Sequence, residues 1–240
     1  MLDQLARRLA QPIRDLPSNF MIDSATYEHG NRIGLEGLDF YVYGRAGVLG
    51  EVDASVASAA LVFFNPAMIR ERWERGGRTM GPRKAATEFA GCLHRWSTEH
   101  LDDDLDFVRL AALLGQVEQA ANPAGAPLFA GWRTLDEPAA PAELAMHRLN
   151  ALRELRGALH SCAVLAAGLD PLVALLIRTP FMAGVFGWEE PYPDVELAKD
   201  AWSAAEAATD RAFGRRLKVL EKGQQEELAT LLEQAHSAVH

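Results

Sequence analysis

The sequence predicts an all-α protein, a multi-helix bundle built around one long central helix. Two observations carry that expectation. Ala, Leu, Glu and Arg dominate the 240 residues, and apolar positions recur at helical spacing. Alternating patterns and β-branched runs, the marks of strands, are nearly absent. A third observation sets the axis: residues 141–167 form the longest uninterrupted helical run, closed by Gly168 in the position where a left-handed C′ residue ends a helix.

Taken in order, Leu2, Leu5, Leu9 and Ile13 form one stripe of a first helix that reaches across Pro12. A second helix is expected over 35–45, with Phe40, Tyr41 and Tyr43 clustered on it. Asp53 stands as N-cap of a helix over 54–64, where a short acceptor side chain can take a free first-turn N–H. Asn65-Pro66 opens the next, with proline where a missing N–H costs nothing. Further helices fit 82–100 and 104–121. After the long helix, Asp170-Pro171 restarts one to residue 177, and two more follow over 195–209 and 211–237.

Two irregular segments interrupt this pattern. Residues 122–141 hold four prolines with Phe129 and Trp132, and residues 179–194 hold three prolines with Phe181, Phe186, Trp188 and Tyr192. Connections of that length in a compact domain usually line a site or cover a core edge. The expected organisation is a helical core domain over 1–178, with an aromatic loop and C-terminal helices over 179–240 packed on it.

The net charge of −9 argues against non-specific binding to nucleic acid or anionic membrane. Charge is uneven, however. Residues 69–84 carry six basic side chains against two acidic ones, 211–222 carry five against one, and 99–106 form a cluster of five carboxylates. Cys92 and Cys162 have no metal-like or CxxC spacing and read as free thiols, which suits a cytosolic chain. The first residues lack the apolar core of a signal peptide, and no apolar run reaches the roughly 20 residues of a membrane span. A cytoplasmic protein with no membrane partner is expected.

No GxSxG, GxGxxG, Walker A or HExxH motif is present. The polar residues of the long helix are the strongest constellation. Glu143, His147, Asn150 and Glu154 share one face, and Arg153, Arg156 and His160 share another. His147 and His160 point to different sides, so no two-histidine metal site is expected from this helix. His160, amid Leu159, Ala163 and Val164, is expected to be partly buried and in need of a partner. His147 is expected to be packed or exposed, satisfied by Glu143 and Glu154. Gly157 and Ser161 form a small-residue notch, read first as a point of close helix packing. Arg45 is a further side chain able to meet an anion.

Several pieces together resemble an actinobacterial family of helical proteins, SalK-like, with a winged helix-turn-helix in the C-terminal part. They are YGRAGVLGEV (43–52), VFFNPAMI (62–69), NPAGAPLFAG (122–131), MHRLNALRELRGALHSCAVLAAGLD (146–170) and AAEAATDRAF (204–213). In that family's long-helix pattern His147, Leu152, Arg153, Glu154, Arg156, Gly157 and His160 match. Leu155, Ala158 and Leu159 stand where it has histidine, aspartate and glycine. The resemblance implies a degenerate winged-helix remnant near the C-terminus. Where the family carries a recognition-like helix and a wing, this chain has GWEEPYPDVELAKDAW, with four acids before Lys199. Such a stretch repels phosphates, so sequence-specific DNA binding is not expected.

The sequence therefore points to a small-molecule-binding or accessory protein, of specialised metabolism if the resemblance holds. Its pocket is expected between the long helix 141–167 and the loop 181–192. The expected ligand-binding residues are Arg45, Arg153, Arg156, His160 and Trp188, with His160 the candidate catalytic residue. A transcriptional regulator of winged-helix descent is the first alternative. An enzyme using His160 with Arg153 or Arg156 is the second. The cofactor, if any, is not legible, and a homodimer is left open.

Overall fold

The computed structural model describes residues 1–102 and 104–239; Asp103, one carboxylate of the acidic cluster, lies outside them. In chain order the helices are α1 (Leu2–Asp15), α2 (Asn19–Ile22), α3 (Ser24–Arg32), α4 (Leu38–Ala46), α5 (Ala54–Ala60), α6 (Pro66–Gly77) and α7 (Pro82–His100). They continue as α8 (Phe107–Ala120), α9 (Pro127–Trp132), α10 (Pro141–Ala166), α11 (Pro171–Arg178), α12 (Lys199–Gly214) and α13 (Lys222–Ala238). No strand occurs among the described residues. The protein is an all-α bundle, as expected.

The axis is α10, 26 residues and so about 39 Å long at 1.5 Å per residue. From Ala145 to Arg156 it is buried nearly all round, packed among α7, α8, α9 and α12. A helix enclosed on every side is a core element rather than a surface one. Beyond Gly157 only His160 and Val164 are fully buried, and one flank is open. Gly168, at φ 73°, ends the helix in the left-handed conformation that glycine adopts freely.

One continuous core joins the chain's two ends. Ala6, Leu9 and Ile13 of α1 pack with Phe213, Leu217, Leu228 and Leu232, and the same cluster continues into the Phe20, Phe40 and Phe89 aromatic group. Those rings meet edge to face at 4.8 and 5.2 Å. Short side-chain caps set several starts. Asp23, Asn65, Asp106 and Asp170 each accept a hydrogen bond from a first-turn N–H.

The structure departs from the expected elements in several places. α2 and α3 lie where no helix was expected, α5 ends at Ala60 rather than 64 with no side-chain cap bond from Asp53, and α8 begins at Phe107 rather than 104. α4 begins at Leu38 rather than 35, after Gly37 at φ 54°. The segment 122–141, expected to be irregular, contains α9, whose Leu128, Phe129 and Trp132 are buried against α10. Proline at its first position starts a helix there instead of preventing one. α12 starts later than residue 195, and a 3₁₀ turn over Arg216–Val219 separates it from α13, which opens on a capping box of Glu221 and Gln224. Cys92 is buried and Cys162 exposed, both as free thiols. Among the described residues no single helix is long and apolar enough to cross a membrane.

Candidate functional site

The open flank of α10 borders a cavity of about 720 Å³. α10 supplies Arg153, Glu154, Arg156, Gly157, His160 and Ser161 to it. Opposite them stand Arg14 and Asp15 of α1, Tyr41 and Arg45 of α4, and the turn 60–64. α11 and the segment after it close the far side through Ala174, Leu175, Arg178, Met182 and Phe186, and Trp202 of α12 completes the wall.

Most of the polar wall is cross-linked. The buried Glu154 carboxylate accepts a bidentate pair from Arg45 at 2.7 and 2.8 Å, and a third bond from Arg153 at 2.9 Å. Arg45 also donates to Tyr41 Oη at 2.9 Å, and Arg153 to Ser18 Oγ at 2.9 Å. Burial alone would raise the Glu154 carboxyl. Arg45 foremost, then Arg153, outweigh it and hold the group below the usual carboxylate range. Arg14 is paired to Asp15, and Arg156 Nη2 reaches Asp210 at 3.3 Å. Arg178 has no hydrogen bond or ion pair among the described residues, and burial pulls its guanidinium pKa down. Arginine keeps its proton in folded proteins, so the group stays charged.

His160 is 4% exposed. Its Nδ1 lies 3.0 Å from Glu206 Oε1 and 3.2 Å from Thr209 Oγ1. The Thr209 hydroxyl already donates to Ala205 O at 2.8 Å, so it accepts from Nδ1 and the ring carries its proton there, while the Glu206 carboxylate lies beside it at ion-pair distance without hydrogen-bond geometry. Nε2 has no partner among the described residues. The His160 contact, with Arg156 and Arg178 adding to it, keeps Glu206 below the usual carboxylate range. Phe63 and Trp202 flank the ring at 5.6 and 5.2 Å. A histidine oriented by a carboxylate, with its other nitrogen free, can accept or give a proton or bond an anion.

Four of the five residues expected from the sequence, Arg45, Arg153, Arg156 and His160, thus border one cavity. Trp188 does not. It packs with Leu175 and Leu176, and its Nε1 donates to Phe63 O at 2.9 Å, which fixes the turn that forms the wall. Only Met182 and Phe186 of the loop 181–192 reach the cavity, so the space lies between α10 and several elements rather than that loop alone. The notch also reads differently. A Cβ on Gly157 would meet nothing within 4 Å, so this glycine opens on the cavity and packs against no helix.

His147 is packed, one of the two expected settings, but its partner is not the expected one. It is 1% exposed, and its Nδ1 lies 3.1 Å from His94 Nε2. Glu143 accepts from Thr98 instead, and Glu154 is taken by the two arginines. Burial foremost, then His94, push the His147 pKa down to about 4. Sequence reasoning missed Arg178, Trp202 and Glu206. Arg178 is the last residue of α11, and only the 115° bend between α10 and α11 brings it back to the α10 flank.

The two basic runs pack on different partners. The first lies on α6 and the start of α7, against α4 and α5; the second lies at the end of α12 and in the turn to α13, against α1 and α8. The model of a helix-turn-helix family matches residues 6–208, and the chain belongs to that family. No curated protein and no solved structure matches it.

Proposed function

We propose that this member of the helix-turn-helix family is a cytoplasmic small-molecule-binding protein whose ligand occupies the cavity on the open flank of α10. The observation that carries the reading is the flank itself. A core helix that is enclosed for its first half borders, in its second, about 720 Å³ of space, the size of an ordinary small-molecule site. The wall combines a rigid, cross-linked polar base at Glu154 with aromatic faces from Phe63, Phe64 and Trp202. The resemblance to proteins of specialised metabolism is compatible with an accessory or an enzymatic role. His160 with Glu206, rather than with Arg153, is the pair that supports proton transfer. The test is titration with 8-anilinonaphthalene-1-sulfonate, a fluorescent aromatic sulfonate. One saturable site is expected, and Gly157→Trp should abolish it while the protein stays folded.

Family membership and one local feature favour a second reading, a transcriptional regulator. α6 and α7 are joined through residues 78–81, a connection with the length and glycine content of a helix-turn-helix turn. Arg70, Arg78 and Lys84 are exposed around it. Against this stand the absence of any strand for a wing among the described residues and the acidic run 189–196. Selection from genomic fragments decides between them. A reproducible site bound at about 10⁻⁸ M or tighter at physiological salt supports the regulator, and loss of that binding in Arg78→Glu would place it on this turn.

A further inference from the structure

The cavity wall holds more positive charge than its own carboxylates answer. Five guanidiniums line it, those of Arg14, Arg45, Arg153, Arg156 and Arg178, against two carboxylates, Asp15 and Glu154. Glu154 is shared by Arg45 and Arg153, and Asp15 is held by Arg14. Behind the wall, Asp210 is divided between Arg156 and Arg7, and Glu206 is engaged by His160. Two sets of donors remain. Arg156 Nε is buried without a hydrogen-bond partner, on a side chain only 7% exposed. Arg178 lines the cavity with no hydrogen bond and no direct ion pair among the described residues; Glu206 and Asp15 act on it only through space, and both are already engaged by another side chain. A partly buried guanidinium with no direct salt-bridge partner is stabilised by an anion that can enter beside it.

We infer that the ligand is an organic anion, a carboxylate or phosphate on an apolar body, and that Arg178 is its principal anchor. Arg156 flanks the anionic group, and the His160 Nε2 can join it as a donor only when the ring is protonated. Arg45 and Arg153 serve instead as fixed wall, because their donors are committed to Glu154, Tyr41 and Ser18. The apolar body lies against Phe63, Phe64, Leu175 and Phe186, the last two rings of Phe64 and Phe186 stacked at 4.0 Å. A planar fork of donors suits both carboxylate and phosphate oxygens, so the side chain alone does not choose between them.

This inference rests on the cavity being a ligand site, and the test separates the two. 4-Phenylbutyrate, phenyl phosphate and the neutral 4-phenylbutyramide are titrated by calorimetry into the wild-type chain, Arg178→Gln and Arg178→Lys. Arg178 supports no ion pair in the fold, so both variants should fold. At least one anion is expected to bind wild type about ten- to a hundredfold tighter than the amide, the range for a hydrogen bond to a charged group. That preference should collapse in Arg178→Gln, survive in large part in Arg178→Lys, and leave amide affinity unchanged. Tighter binding of the phosphate or of the carboxylate identifies which group the site takes. Equal binding of amide and acids by wild type overturns the anion assignment while leaving the ligand site standing. A preference that persists in Arg178→Gln overturns the anchor. Absence of binding by all three overturns the inference and, with a silent dye titration, the ligand-site reading beneath it.

Discussion

The two halves of α10 place the same residue type in opposite settings. In the first half His147 is enclosed between α7 and α9, hydrogen-bonded to a second histidine and held neutral. In the second half His160 meets a carboxylate through one nitrogen and keeps the other free beside a cavity lined by arginines. The first half is a structural rod and the second is the wall of a chamber. Helical spacing puts the two rings on different faces, but what each face meets is decided by the neighbouring elements.

The comparison can be broken most sharply by truncation. His147→Ala removes a fully buried ring from the rod and should cost about 3 kcal/mol, by analogy with other large-to-small core changes. For a chain of this size that is a fall in Tm of roughly 10 °C. His160→Ala enlarges an existing space and also leaves Glu206 and Thr209 without the ring, and should cost less than the rod change, about 1–2 kcal/mol. Equal losses would erase the distinction between rod and wall.

Acid should act on the same half. A histidine whose folded pKa lies near 4, below the ordinary 6.5, binds its proton more readily in the unfolded chain. The stability it permits is therefore full above about pH 6.5 and is lost as pH falls toward 4, by up to about 3 kcal/mol. His94 is lowered too, by burial, so the pair titrates jointly. Urea unfolding at pH 7 and pH 5 should show this decline in wild type and a flatter dependence in His147→Phe.

A smaller effect of opposite sign is expected at Asn150. Its side chain is fully buried with neither amide atom bonded, and Trp132 Nε1 is likewise without a hydrogen-bond partner among the described residues. An unsatisfied buried amide costs about 1–3 kcal/mol, so Asn150→Leu, with the same branching and no polar atom to satisfy, should raise the unfolding free energy by about 1 kcal/mol. The smallest effect belongs to the wall. Gly157→Leu should leave Tm within about 2 °C, since the new side chain enters open space and the glycine in mid-helix was itself unfavourable. A drop of several degrees would mean that the flank of α10 is packed in solution.

Much of this was legible in the sequence. Proline and Asx starts marked α6 and α11, and Gly168 marked the end of α10, because backbone chemistry at helix termini is local. Helical spacing placed Arg153, Arg156 and His160 on a shared flank. What failed was non-local. Arg178 joins them only because α11 folds back at a steep angle, and Trp202 only because α12 packs along both α1 and α10. His147 was expected to be satisfied by two glutamates that lie one and two turns away. Each found a stronger partner on another element, Glu143 in Thr98 and Glu154 in Arg45. Trp188 was expected at the pocket because its long loop carries an aromatic cluster, whereas here its indole N–H donates to Phe63 O and anchors a turn.

Fluorine NMR of the chain labelled with 5-fluorotryptophan tests the division between rod and chamber most directly, because Trp132 lies in the first and Trp202 in the second. On saturation with 8-anilinonaphthalene-1-sulfonate, the Trp202 resonance, assigned from Trp202→Phe, should shift while that of Trp132 stays in place. A Trp132 resonance that moves while Trp202 remains still would contradict the account.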